Sequence, residues 1–205
     1  MMSAMTDQTP TIIAESLDLL RAAAAAITDA DLKAATPCAQ WTVTQVLQHA
    51  AGDQLAWAAA LGTGAGPAEN PFTPSGLLEG SISDLLEPAL ATARTAWAGV
   101  RGDDDAVPTP LPQGPLPAPI AAGACALDAA VHAWDIAAAL GRHPEHRPGF
   151  LPSSLARQLL PAARAVVEPL RPFAYAAALP PQPGDDDAAR LLRYLGRDPH
   201  WQAAR

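Results

Sequence analysis

Three side chains with the chemistry of metal ligands recur at helical spacing in this sequence. In the run Leu127 to Leu140, Asp128 and His132 are four residues apart and Asp135 is three further on. That spacing stacks them on one helix face. The rest of the stripe is Ala, Val, Trp and Leu, and an imidazole beside a carboxylate is costly to bury in such surroundings without a partner. The partner is each other, a hydrogen bond, or a metal ion. His49, on an earlier helical stretch, is the best candidate to join them. Imidazoles and a carboxylate are good ligands for zinc and other divalent transition metals. An Asp-x-x-x-His pair plus a His from a facing helix supplies three protein ligands and leaves positions for water or substrate. The same spacing also permits a metal-free arrangement, in which Asp128 bonds His132 and His49 is a satisfied core histidine. Spacing alone leaves both open.

Asp135 has two readings. It accepts the N–H of a ligating histidine and fixes its tautomer, or it pairs with a neighbouring segment. Asp53, four residues after His49, reads as a helix-face contact rather than a ligand. Cys38, just before a helix, is either an acidified nucleophile or a small buried hydrophobe. Cys125 reads as core. His143 and His146 read as exposed loop residues, and the tryptophans at 41, 57, 97 and 134 as core.

The elements that must position these residues are helical. Leu17, Leu20, Ala24 and Ile27 keep helical spacing in a first helix from about Ile12 to Ile27, after a polar, frayed start at Met1 to Pro10. Thr28 to Asp31 reads as a capped turn. A second helix spans Val43 to about Leu61; Thr42 is its N-cap, and Gln45 completes a capping box. A Gly/Pro-rich loop from Gly62 to Pro74 precedes a third helix within Ser83 to Val100, whose regular part Pro88 moves to about Leu86. Arg101 to Pro119 reads as a long Pro-rich loop, a wall or lid over the site. The organising helix follows from about Ile120 to Leu140, stopped by Gly141. A fifth helix spans Ser153 to Leu170, with a kink or break at Pro161. After a Pro-rich connection, partly extended around Phe173 to Tyr175, a short helix runs from Ala188 to Leu195 and ends at Gly196.

Composition narrows the function. The chain has 205 residues, 49% of them hydrophobic, with many alanines that suit close helix packing. We read it as one domain over 1–205. A net charge of −8 argues against nucleic-acid binding and against docking on an anionic membrane. Two cysteines and no C-x-x-C pair fit a reducing cytoplasm. No signal peptide is read at the N-terminus, and no apolar run of bilayer length is read anywhere.

Three motifs carry a family resemblance across nearly the whole chain. Thr36-Pro37-Cys38-Ala39-Gln40-Trp41-Thr42-Val43, followed by Leu47-Gln48-His49, resembles a "TPC-x-x-W-T-V…L-x-H" opening. Asp128 to Ala137 resembles "D-x-x-x-H-x-W-D-L-A". Leu195-Gly196-Arg197-Asp198-Pro199-His200-Trp201 resembles a "GRDP-x-W" ending. The family is the actinobacterial metal-binding group related to the N-terminal domain of mycothiol-dependent maleylpyruvate isomerase, in the DinB-like superfamily. The resemblance implies an all-α, DinB-like four-helix bundle with additional short helices, and a divalent metal on His49, Asp128 and His132. The isomerase has Glu at the position of Asp128 and a separate C-terminal domain not recognised in this chain. The implied activity is a thiol transferase or isomerase that uses mycothiol on a small electrophile. Zinc is the expected metal, with nickel or iron as alternatives. A metal-dependent hydrolase and a non-catalytic binding bundle are the other readings. Arg94, Arg101 and Arg142 are the cations on offer for a sugar-bearing thiol, and a monomer or homodimer is expected.

Overall fold

The computed structural model describes residues 9–141 and 150–203. The helices among them are α1 (Thr9–Ala25), α2 (Val43–Ala60), α3 (Ile82–Trp97), α4 (Ala118–Ala139), α5 (Ser153–Leu170) and α6 (Asp187–Tyr194), with a 3-10 turn at Asp29–Asp31. No strand occurs among the described residues; two isolated antiparallel bridges pin loops, Ala35 to Thr42 and Val107 to Leu116. Helix α1 packs on α4 and α3, and α2 packs on α3 and α4, closing a four-helix ring. Helix α5 lies outside it on α4, and α6 lies on α5. The fold is the expected all-α, DinB-like bundle.

Helix α4 is the centre of this packing because it meets α1, α2 and α5 at once. Only Pro119, Ile120, Asp128 and Ala139 of its residues escape full burial. A helix covered on all sides must be apolar all round, which is why the alanine-rich stretch works. By length and composition α4 is also long and apolar enough to cross a membrane, contrary to the reading of no such run, but 89% of that window is buried inside the bundle. Trp57 and Trp97 stack across α2 and α3 with ring centroids 5.9 Å apart. The Trp97 indole N–H donates to the Cys125 sulfur at 3.2 Å, so Cys125 is core as expected.

Helix α2 begins at the predicted cap: the Gln45 N–H donates to Thr42 Oγ1, and the Thr42 N–H donates to Gln45 Oε1 at 3.0 Å. The prolines behave differently from expectation. Helix α3 starts at Ile82, capped by Ser81, and runs through Pro88, which is exposed, so the carbonyl it leaves without a donor is open to water. Helix α5 continues through Pro161 without a break. Pro119 sits in the first turn of α4, where a missing N–H costs nothing. Thr9 already belongs to α1. Phe173 and Ala174 form a turn on the Leu170 carbonyl rather than an extended stretch. His143, His146 and Arg142 lie outside the described residues.

Candidate metal centre

His49 on α2 and Asp128 and His132 on α4 come together where the two helices face each other. One potential ligand atom from each lies within 4.8 Å of the others. His49 Nε2 is 3.2 Å from Asp128 Oδ1, and His132 Nε2 is 3.3 Å from the same oxygen. Both histidines are buried, at 5% and 6% exposure, while the Asp128 side chain keeps 14%. The spacing of four between Asp128 and His132 therefore does what the sequence suggests, and His49 is the facing partner.

Each histidine has its other nitrogen committed. His49 Nδ1 lies 2.9 Å from the Pro71 carbonyl oxygen, which only accepts, so Nδ1 carries the hydrogen. His132 Nδ1 donates to Asp135 Oδ2 at 2.9 Å. Both Nε2 atoms thus point at the shared space. Asp128 Oδ2 is buried there with no hydrogen-bond partner. Orphaned buried oxygens are uncommon in folded proteins. Two imidazole nitrogens and a carboxylate with an unsatisfied oxygen are a donor set that fits a divalent transition metal, which would displace the proton on His132.

The shell around these three comes from loops. The connection between α2 and α3 is fastened to α2 by Gln45 and Gln48: Gln45 Nε2 donates to the Pro74 carbonyl, and Gln48 Nε2 to that of Leu77. Gly52 lets Pro71 lie against α2, since a Cβ there would come within 3.0 Å of Pro71 Cγ. The result brings the Pro71 carbonyl to His49 and sets the Phe72 ring edge-on to it, with centroids 5.3 Å apart. Trp41 packs against the core as read and also lies on His49, with ring centroids 4.6 Å apart. The Pro-rich segment expected to form the wall hydrogen-bonds within itself and to the Val166 carbonyl of α5; the α2–α3 connection is the one that reaches the histidines. Arg94 and Arg101 are engaged with Asp18 and Asp103.

Asp135 makes the contacts that both of its readings call for, to His132 and to a neighbouring segment. It has no exposed surface, and besides His132 it takes Arg197 through Nε on Oδ1 and Nη2 on Oδ2, each at 2.8 Å. Arg197 stands in the GRDP-x-W ending but is given no role there, because local periodicity does not connect that ending to α4.

The electrostatics follow from burial and these contacts. Burial disfavours the His132 imidazolium, but the Asp128 and Asp135 carboxylates outweigh it and push the pKa up to about 10. Burial likewise works against the Asp128 carboxylate, and His132 and His49 hold it well below the usual range. Asp135 is lowered in the same way by Arg197 and His132. Asp53 is partly buried one turn along α2 from His49; burial and then the Asp128 charge push its carboxyl well up. The half-buried Cys38 thiol is pushed up by burial and by Asp135, which opposes the acidified-nucleophile reading.

Residues 13–137 match the family model of the mycothiol maleylpyruvate isomerase N-terminal domain. Two uncharacterised proteins of Mycobacterium tuberculosis, one from strain CDC 1551 / Oshkosh and one from strain H37Rv, are each 32% identical over 170 residues, covering 79% of this chain and 82% of the relative. No solved structure matches at a comparable level.

Proposed function

Since the chain belongs to the mycothiol maleylpyruvate isomerase N-terminal domain family, we propose that it is a divalent-metal enzyme that works with a low-molecular-weight thiol, of the mycothiol kind, on a small electrophile. Transfer of the thiol or isomerisation of the electrophile is the reaction class. The observation that carries this reading is the convergence of two Nε2 atoms on Asp128, whose second oxygen has no protein partner.

His49 Nε2, Asp128 and His132 Nε2 would hold the ion, with zinc the first choice for this donor set and nickel or iron the alternatives. Such an ion favours the deprotonated form of a thiol beside it, which supplies a nucleophile at neutral pH. The chain's own groups do the rest. Pro71 and Asp135 hold both imidazoles in the ligand-competent tautomer. Trp41 and Phe72 pack on His49 with apolar surface, and Phe72 is 52% exposed. Burial and Asp135 push the Cys38 thiol up, which favours an external thiol over Cys38 as the nucleophile. The setting is the cytoplasm and the partners are small molecules.

The partly buried Asp53 carboxyl, one turn along α2 from His49 and pushed well up by burial and then by the Asp128 charge, supports a second reading, hydrolysis by an activated water whose proton its carboxylate form would take. One experiment separates the two. Zinc-loaded protein is given a small unsaturated electrophile, with and without a low-molecular-weight thiol, and separately a simple ester. Turnover that needs the thiol, survives in Asp53→Asn and disappears in His132→Ala supports the proposal. Ester turnover without thiol, lost in Asp53→Asn, replaces it with the hydrolase reading.

A further inference from the structure

Helix α6 ends in a geometry that delivers one side chain to the centre. The Gly196 N–H donates to the Arg193 carbonyl and the Arg197 N–H to the Leu192 carbonyl, at 3.0 and 2.8 Å. This is a Schellman stop with Gly196 in the left-handed position at φ +80°. A Cβ at 196 would stand 2.7 Å from Ala176 Cβ and 2.9 Å from the Ala177 carbonyl oxygen, so only glycine fits. The strand of chain it presses on is itself pinned. Arg171 donates to the carbonyls of Ala176 and Tyr194, and the Leu179 N–H donates to Arg193. The backbone of Arg197 is therefore fixed by three segments, and its side chain turns inward to a residue that is wholly buried.

We propose that Arg197 is a positioning residue for the metal centre, setting its affinity for the cation through Asp135 and His132. It rests on the metal reading above and extends the site beyond residues 13–137, which the family model covers, into the C-terminal segment. The guanidinium fork takes both Asp135 oxygens, so the carboxylate cannot rotate about its own axis away from His132. Asp135 Oδ2 is left aimed at His132 Nδ1, and the ring is held with Nε2 facing Asp128. Histidine ligands depend on such outer partners for orientation. A lysine would bring the charge but not the two-point grip.

Zinc affinity of the metal-stripped full chain, by chelator competition, tests this in wild type, Arg197→Met, Arg197→Lys and Arg193→Met. Arg193 is the control for a structural role: it lies in the last turn of α6, just before the stop that delivers Arg197, is as buried as Arg197, and pairs with Asp185 away from the histidines. Loss of an outer partner typically weakens metal binding by about 10- to 100-fold, so that loss is expected in Arg197→Met. Arg197→Lys, which keeps the charge and guards against an unfolded methionine variant, is expected between it and wild type, and Arg193→Met near wild type. Equal affinities in wild type and both Arg197 variants overturn the inference, as does an equal loss in Arg193→Met. Wild type that takes up no zinc overturns the metal reading itself, and this inference with it.

Discussion

Replacing Arg197 by methionine tests how the buried charges on α4 are balanced. Asp135 has no exposed surface and the Arg197 side chain only 10%. The pair is bidentate at 2.8 Å on both arms, so the variant strands a buried carboxylate with His132 as its one remaining side-chain donor among the described residues. Breaking a buried ion pair from one side costs about 3–5 kcal/mol. That is a large part of the roughly 5–15 kcal/mol that holds a domain folded. With a urea slope of about 2–3 kcal/mol per molar, the midpoint of metal-free protein should fall by roughly 1–2 M. Most of that cost is the stranded charge rather than lost attraction, which makes a second expectation. Asp135→Asn with Arg197→Met together should cost less than Arg197→Met alone, because no unpaired charge remains. Arg101→Met, which breaks an ion pair exposed by about three quarters on both sides, should cost less than about 1 kcal/mol. Urea denaturation of wild type, these three variants and Asp135→Asn alone, followed by far-ultraviolet circular dichroism, reads all of these. A cost below about 1 kcal/mol for Arg197→Met, or strict additivity in the double variant, refutes the reasoning.

Two further outcomes follow from the geometry. Gly52→Ala adds a methyl 3.0 Å from Pro71 Cγ, so the loop must give and the Pro71 carbonyl shifts from His49. Alanine also favours the helix by up to about 1 kcal/mol; the urea midpoint should therefore hold while zinc affinity falls several-fold, and unchanged affinity contradicts the role given to Pro71. For pH, the sign comes from His132. Its folded pKa of about 10 lies above the unfolded value of about 6.5, so its contribution to stability is complete below about pH 6.5 and fades as pH rises through about 10. The buried thiols act in the same direction, since burial raises them too. Metal-free protein should lose stability steadily from about pH 7 to 10, and denaturation midpoints that rise over that range contradict the assignment.

The sequence made the helices and the facing ligands legible because both are local. A capping box at Thr42 and Gln45 marks where α2 begins, and an interval of four puts Asp128 and His132 on one face. The prolines misled because a missing N–H is tolerated at an exposed position such as Pro88, and exposure is a tertiary property. The shell of the centre was hidden for a related reason. A backbone carbonyl such as that of Pro71 has no sequence signature, and Arg197 reaches Asp135 only through a helix stop 61 residues after it on the chain. Trp41 packs against the core as read, but its contact with His49 depends on how the preceding loop closes.

The measurement that tests the central claim most directly is the metal content of protein purified without metal supplementation, by elemental analysis, for wild type, His49→Ala and His132→Ala. The account predicts near-stoichiometric metal in wild type and its loss in both variants. A folded wild type that is metal-free and takes up no added zinc, nickel or iron would contradict it.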